Sequence, residues 1–281
     1  MKFLTTLLLS LVLANPAFSL VTNSPSLNNT APPDDPGWDS VGYFTGDSYT
    51  VVYLGDGWVM SAGHLTCNGI LHSHHGAAVT FHGVSYPWDG VDCIPIMGRN
   101  LSLYWQKEGH QIDLAVWHIV GDPGIPGVPF AKKPSPVGTD VILVSHMQGR
   151  GAAYGPDING RHGWYSGSVP RYMQWGTNKI AQSPNYPLLS DDIYTQFDEF
   201  PPNTTAYEAQ AVMGDSGGIV FGKIDGVWSV IGIIVSLDNT GQVPSYIATF
   251  TEYTVSTAVA PYADQISAIL GHGALYVPLA R

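Results

Sequence analysis

The stretch Met213-Gly214-Asp215-Ser216-Gly217-Gly218-Ile219-Val220-Phe221 places a serine in a glycine-rich turn directly before an apolar, strand-like run. Two earlier segments also set one polar, chemically active residue beside an apolar run: Ser61-Ala62-Gly63-His64 and Asp113-Leu114-Ala115-Val116. A serine hydroxyl is a weak nucleophile at neutral pH, so it needs an imidazole that takes its proton and a carboxylate that orients the imidazole. The three segments supply these groups.

The order of the three groups along the chain discriminates among hydrolase types. His64 precedes Asp113, which precedes Ser216, whereas subtilisin-type enzymes run Asp, His, Ser and α/β-hydrolases run Ser, acid, His. Taken singly, each residue has a plain structural interpretation: a turn histidine, a strand-start aspartate and a flexible glycine loop. Together they favour catalysis, with Ser216 as nucleophile, His64 as general base and Asp113 as the residue that orients the base.

Three segments of the chain resemble the signature segments of the chymotrypsin/trypsin serine proteases. They are GWVMSAGHLTC from residue 57, DLAVWHI from residue 113 and MGDSGGIVF from residue 213. The resemblance spans Val41 to Leu270, with Ile231–Ser236 similar to the strand that pairs with the substrate backbone. It implies a secreted serine endopeptidase that acts through an acyl-enzyme intermediate, with its active site in a cleft between two six-stranded antiparallel β-barrels.

Strand signals dominate the chain and agree with an all-β fold. Short β-branched or aromatic runs are separated by Gly, Pro, Asn and Asp turns at Tyr49–Leu54, Ala78–His82, Leu114–Val120, Val141–Ser145, Ile219–Phe221 and Val227–Ser236. Five prolines lie between Asp122 and Gly138, which predicts a connection between two β units. We therefore expect one barrel over residues 37–130, with His64 and Asp113, and a second over residues 131–281, with Ser216 and a short helix near residues 262–270.

The N-terminal region predicts export. Lys2 is followed by an apolar run from Phe3 to Leu13 and by Ala17-Phe18-Ser19, a small-x-small cleavage site, so residues 1–19 are a predicted secretory signal peptide. Residues 20–36 are rich in Ser, Asn and Pro and are expected to form an irregular leader. We expect an extracellular protein, or a periplasmic one in a bacterium, that is monomeric, acts on protein or peptide substrates and stays off the membrane after signal cleavage.

The net charge disfavours one class of partner. The formal net charge is −11, from 11 Lys and Arg against 22 Asp and Glu, which disfavours nucleic acid. The two cysteines, Cys67 and Cys93, are predicted to form a disulfide after export, because an even count in an oxidising compartment favours a bridge. Metal binding by this pair is the weaker interpretation. No cofactor or metal is expected.

Further site residues are implied by the resemblance alone. The oxyanion hole would consist of the backbone N–H groups of Gly214 and Ser216. The primary specificity pocket would have Gln210 at its base, with Ser236, Leu237 and Asp238 along its wall. Because Gln210 stands where trypsin-like members have an aspartate, we expect cleavage after small or medium residues and not after Lys or Arg.

Asp215 raises a question about activation. Trypsin-type zymogens are cut after a basic residue, and the new N-terminus pairs with the aspartate that precedes the nucleophile. Between Lys2 and Arg99 there is no Lys or Arg, so no such cut is available. We therefore expect activity after signal-peptide removal, with Asp215 satisfied either by backbone N–H donors or by an arginine of the second barrel: Arg150, Arg161 or Arg171.

Other patterns leave alternatives open. Zinc ligands are one interpretation of His72, His74, His75 and His82, but their spacing favours a plain loop. An acidic loop is favoured over a calcium site for Asp191, Asp192, Asp198 and Glu199. Sequons begin at Asn28, Asn100 and Asn203. Two rival functions are a catalytically inactive protease-like binding protein and, from eight Trp and 15 Tyr, a carbohydrate-binding module.

Overall fold

Antiparallel strands make up most of the structure, a computed structural model. It describes residues 20–24, 28–46, 49–66, 78–89, 93–97, 111–147, 149–167, 171–181, 191–238 and 243–272. The strands form two main bodies, one from the N-terminal and one from the C-terminal part of the chain. This is the all-β class that the short apolar runs predict.

The N-terminal body is a seven-stranded antiparallel sheet. Its strands, in chain order, are β2 (Val41–Phe44), β3 (Thr50–Gly55), β4 (Trp58–Ser61), β5 (Ala78–Phe81), β6 (Val84–Pro87), β7 (Ile94–Met97) and β8 (Gln111–His118), and their spatial order is β6-β5-β2-β3-β4-β8-β7. A six-stranded barrel was expected here. In the part of the chain that is described, no ladder joins β6 to β7, so the sheet has two ends.

The C-terminal body is a closed six-stranded antiparallel barrel, as expected. Its strands are β9 (Asp140–Met147), β12 (Tyr172–Ala181), β13 (Asp192–Gln196), β15 (Ile219–Ile224), β16 (Val227–Asp238) and β18 (Tyr253–Ala258), which close in the order β12-β13-β18-β16-β15-β9. The apolar core contains Leu143, Val220 and Ile231, all almost fully buried. Closure leaves this body without an unpaired sheet edge.

Smaller elements complete the described chain. They are β1 (Val21–Thr22) with β14 (Ala209–Gln210), a sheet of β10 (Arg150–Tyr154), β11 (Gly163–Ser166) and β17 (Ile247–Thr249), and the helices α1 (Gly63–Thr66) and α2 (Ala263–His272). Helix α2 lies where a terminal helix was predicted. Gln265 on α2 exchanges two hydrogen bonds with the Met97 backbone at the end of β7. The C-terminal helix therefore packs on the N-terminal sheet.

The proline-rich connection is attached to both bodies. Val128 N–H donates to the Tyr53 carbonyl of the N-terminal sheet, and Ala131 N–H donates to the Val230 carbonyl of the barrel. The connection thus leaves the N-terminal sheet and joins the barrel between residues 128 and 131, where the boundary between residues 130 and 131 was predicted.

The start of the leader departs from the expected irregular chain. Leu20 and Val21 are fully buried, and β1 pairs with β14 through Val21 opposite Gln210. Both side chains are large and apolar, so their burial stabilises this end of the chain against the barrel.

Candidate active site

Strand pairing brings His64 and Asp113 together. In the antiparallel ladder between β4 and β8, Ser61 lies opposite Ala115, so the end of β4 meets the beginning of β8. The chain then turns into α1, and Gly63 permits a close crossing, because a Cβ there would lie 3.1 Å from Leu114 N. His64 thus faces Asp113 across the end of the sheet.

The Asp113 carboxylate holds His64 at two points. Oδ1 accepts the backbone N–H of His64 at 2.7 Å, and Oδ2 lies 2.7 Å from His64 Nδ1. With Nδ1–H donating to the carboxylate, Nε2 is the ring nitrogen that remains to accept a proton. The two side chains are 39% and 34% exposed, so the pair is open to a cleft.

A second carboxyl lies close to this pair. Burial, together with the nearby negative charges of Asp191 and Asp113, raises the pKa of Asp192 to about 6. The sequence favoured a solvated acidic loop for Asp192, whereas the structure places it, half-buried, at the start of β13. Only the three-dimensional pairing of β13 in the barrel reveals its proximity to Asp113.

Ser216 lies in the turn between β14 and β15, and this turn packs against the N-terminal sheet. Gly217, with φ of +82°, comes so close to that sheet that a Cβ would collide with Ser61 Oγ and the Thr50 carbonyl and would lie 3.2 Å from Leu65 Cδ1. Since Leu65 follows His64 on α1, the serine turn and the histidine helix are neighbours. Among the described residues Ser216 Oγ makes no hydrogen bond, so none joins the serine to the His64 imidazole.

The backbone of this turn leaves two N–H groups unused. The N–H groups of Met213, Asp215, Gly217 and Gly218 donate to backbone carbonyls. The N–H groups of Gly214 and Ser216 donate to no acceptor in the described part of the chain. Gly214 has φ of +102°, a left-handed conformation that glycine adopts without a Cβ penalty. Two alternate, unsatisfied donors beside a serine are suited to bind an oxyanion.

A cleft of about 270 Å³ opens beside Ser216. It is lined by uncharged residues, namely Val212, Met213, Gly214, Ser216, Ile234, Val235, Ser236, Leu237 and Ser245. Of the four predicted specificity residues, Ser236 and Leu237 lie in this lining. Gln210 and Asp238 do not: Gln210 is 1% exposed on β14, where it lies opposite Val21 of β1.

Asp215 is fully buried and is satisfied without an arginine. Oδ1 accepts from Ser145 Oγ at 2.7 Å and from Leu20 N at 2.9 Å, and Oδ2 accepts from Val212 N at 2.8 Å. Burial raises the pKa of Asp215 to about 7, against the opposing effect of these donors. Of the two expected ways to satisfy Asp215, backbone N–H donors or an arginine, the structure shows backbone N–H donors, joined by the Ser145 hydroxyl.

The arginines expected as alternatives have other contacts. Arg150 Nη1 donates to the Asn23 carbonyl, and Arg161 pairs with Asp157. Neither these two nor Arg171 contributes to the pKa shift of Asp215.

Several sequence-level candidates can be placed. Cys93 is disulfide-bonded, while Cys67, the only other cysteine of the sequence, lies outside the described residues. So do His72, His74 and His75; His82 Nε2 contacts the Asp39 carbonyl, and no group of three or more potential metal ligands occurs in the described ranges.

The sequons differ in accessibility. Asn28 is 7% exposed, and its Nδ2 donates to the Trp175 carbonyl, so its amide is not available for a glycan. Asn203 lies in an exposed turn, and Asn100 lies outside the described residues.

In comparisons with known proteins, no family model matches the chain and no curated protein matches it significantly. As to the membrane, none of the helices within the described ranges has the length and apolar character to cross a bilayer.

Proposed function

We propose that this protein is an exported serine endopeptidase that uses Ser216, His64 and Asp113. The observation that carries the proposal is the pair of unsatisfied N–H groups at Gly214 and Ser216 in the turn that carries the serine. This turn packs against the helix of His64, whose imidazole is oriented by a carboxylate. We include in the proposal the chymotrypsin-like arrangement of two β bodies, with the N-terminal sheet as the counterpart of the first barrel. Secretion, a monomeric state and protein or peptide substrates belong to the same proposal.

The geometry supports a two-step acyl transfer. Ser216 Oγ attacks the peptide carbonyl while His64 Nε2 takes its proton, and the same imidazole then protonates the leaving amine. Asp113 stabilises the imidazolium and keeps the proton-accepting nitrogen toward the serine. The N–H groups of Gly214 and Ser216 bind the oxygen that becomes negative, an interaction that in comparable enzymes changes kcat by roughly 10²–10³. Water then repeats the sequence on the acyl-enzyme.

One observation favours a second candidate, a catalytically inactive binding protein of the same fold. No hydrogen bond connects Ser216 to His64 within the described residues. In unliganded enzymes, however, catalytic hydrogen bonds are often long and tighten only with substrate. Because the unused N–H pair has no structural purpose in the turn, we favour the enzyme.

A fluorophosphonate probe separates the two candidates, because it reacts only with an activated serine. We expect one equivalent of label on Ser216 in the exported protein and none in Ser216→Ala. Hydrolysis of an unbiased peptide mixture should disappear in the same variant. A folded wild-type chain that stays unlabelled and hydrolyses no peptide would support the inactive binding protein.

A further inference from the structure

A groove of about 380 Å³ lies between the leader and the C-terminal barrel. None of the described residues that line it also lines the cleft beside Ser216. Its apolar and aromatic lining comes from the leader, from β9, β12 and β16 and from the segment before β14, and includes Pro32, Pro33, Ile142, Trp175, Tyr207 and Trp228. A concave, mostly apolar space of this volume is typical of a ligand-binding site.

The aromatic side chains of the groove are fixed by their neighbours. The rings of Trp175 and Tyr207 meet edge to face, with centroids 4.7 Å apart. The backbone of Tyr207 is anchored as well, because Thr177 N–H donates to the Tyr207 carbonyl at 2.8 Å. Lys223 lies over Trp228, with Nζ 4.8 Å from the ring centroid. Aromatic rings that are held in this way bind a partner with little further loss of conformational entropy.

The same face already binds a proline-containing segment of the chain itself. Trp175 Nε1–H donates to the Thr30 carbonyl at 2.8 Å, and Trp228 Nε1–H donates to Asp34 Oδ1 at 3.1 Å. The Pro32-Pro33 dipeptide lies between these two anchors and lines the groove. Proline has no backbone N–H, and its carbonyl stays free to accept, so a proline-rich chain suits an aromatic surface with few acceptors. The groove continues a surface that already contacts such a chain.

The polar side chains of the groove are bonded within the protein. Thr177 Oγ1 lies 2.7 Å from Thr205 Oγ1, and Asn178 Nδ2 donates to two backbone carbonyls. A sugar brings many hydroxyl groups, which would be costly to bury without partners of their own. Proline side chains bring none. The lining therefore favours a proline-rich segment over a carbohydrate.

Two carboxylates mark the rim of the groove. Asp34 and Asp140 both line it, and their side chains are 64% and 77% exposed. Lys223 pairs with Asp34, and Lys179 pairs with Asp140. Exposed ion pairs stabilise a protein little, so a cation of a ligand can share either carboxylate. Together with the formal net charge of −11, this rim favours a ligand with a basic residue.

We propose that the groove between the leader and the barrel is a docking site for a proline-rich segment of a partner protein, bound as a polyproline II helix and carrying a basic residue. Aromatic-lined grooves bind such segments because the extended helix is formed in advance and loses little entropy on binding. The proline rings pack against Tyr207 and Trp228, and the basic side chain meets Asp140. The site tethers a protein without occupying the cleft at Ser216, so this inference goes beyond the proposed function and does not depend on it.

The test measures binding of synthetic peptides to the exported chain with Ser216→Ala, which prevents any hydrolysis from affecting the result. Isothermal titration compares an oligoproline of about ten residues with one central arginine against the same peptide with alanine at every proline position. We expect the first peptide to bind and the second to bind at least tenfold more weakly. Equal binding of both peptides, no binding of either, or binding of a cello-oligosaccharide in place of the oligoproline would overturn the inference.

Two variants test whether the peptide lies in this groove. Tyr207→Leu removes one ring of the lining, and Tyr86→Leu, at a half-buried tyrosine of β6, is the matched control. We expect Tyr207→Leu to weaken peptide binding roughly tenfold and Tyr86→Leu to leave it unchanged. Asp140→Asn, at an exposed carboxyl, should remove the advantage of the arginine peptide over a neutral oligoproline. Binding that either Tyr207→Leu or Asp140→Asn leaves unaltered would overturn the inference.

Discussion

Asp113 contacts His64 through both carboxylate oxygens, Oδ1 at the backbone N–H and Oδ2 at the imidazole Nδ1, each at 2.7 Å. In Asp113→Asn the amide N–H₂ can face Nδ1 and favour the wrong tautomer, so we expect kcat to fall by roughly 10⁴, as in the serine protease template. Asp192→Asn is the matched control, because Asp192 is near Asp113 but does not bond to His64. Steady-state peptide hydrolysis measures both. Equal losses in the two variants would contradict the assignment of Asp113.

The uncharged cleft predicts the substrate residue that precedes the scissile bond. Its lining has several apolar side chains, two serines besides Ser216 and no charged group among the described residues, and Asp238 does not line it. We expect a peptide-library profile led by small and medium uncharged residues. A profile dominated by Lys and Arg would show that Asp238 turns into the cleft on substrate binding.

For single residues, the sequence predicts those catalytic candidates that lie in local motifs. His64, Asp113 and the glycine turn around Ser216 each stand next to an apolar strand, so the residue types alone indicate their roles. The partners of Asp215 were not predictable, because Leu20 and Ser145 lie 195 and 70 residues away and contribute only a backbone N–H and an ordinary hydroxyl.

Among the elements, the turn before β15 depends on its close approach to the N-terminal sheet. Gly217 and Gly226 have nearly equal φ values of +82° and +83°, but a Cβ collides with the sheet only at Gly217 and meets nothing within 4 Å at Gly226. Both alanine variants carry the left-handed strain of a non-glycine residue. Only Gly217→Ala should push Ser216 away from α1, so we expect it to lower kcat by roughly 10²-fold, with Gly226→Ala near wild type.

Thermal unfolding provides the control for that comparison. Both variants should lower Tm slightly through backbone strain, and Gly217→Ala should lower it further through the collision. A Gly217→Ala protein with normal kcat would mean that the position of the turn against the sheet is not needed for catalysis.

The predicted disulfide would brace the segment that carries His64. Thr66 ends α1, Cys67 follows it, and the disulfide-bonded Cys93 directly precedes β7, which pairs with β8. We expect non-reducing peptide mapping to recover a Cys67–Cys93 peptide. Loss of the bridge in Cys93→Ala should lower the free energy of unfolding by about 3 kcal/mol, the chain-entropy value for a loop of about 25 residues. Two free thiols in the exported protein would contradict the bridge.

Strand positions were predictable because β-branched and aromatic runs are local signals, and so was the terminal helix. The pairing of the strands was less predictable. Nothing in the sequence showed that the N-terminal strands form a seven-stranded sheet, or that a two-residue β1 pairs with β14, because both depend on contacts between distant segments. The same limit applied to α2, whose apolar positions predicted a helix but not that it packs on the N-terminal sheet.

The molecule as a whole buries several carboxyl groups whose pKa values lie above the ordinary range. Burial raises the pKa of Asp192 to about 6 and those of Glu208 and Asp215 to about 7. The folded chain keeps protons on these groups at pH values where the unfolded chain has released them. The free energy of unfolding is therefore greatest below about pH 4 as far as these groups are concerned, and it falls as pH rises toward 7.

Glu208 gives the cleanest test of this pH dependence. It is 0% exposed, and its carboxylate accepts bonds from the backbone N–H groups of Asp198 and Thr205 and from Thr205 Oγ1, which only partly offset its burial. A rise of its pKa from 4.5 to about 7 corresponds to a stability loss on the order of 3 kcal/mol between pH 4 and pH 8. In Glu208→Gln the residue no longer titrates, so the decrease in Tm with pH over this window should become shallower. Asp225→Asn, at an exposed carboxyl paired with Lys133, should leave the slope unchanged. An unaltered slope in Glu208→Gln would mean that Glu208 is already ionised near pH 5 in the folded protein, with its three donors outweighing its burial.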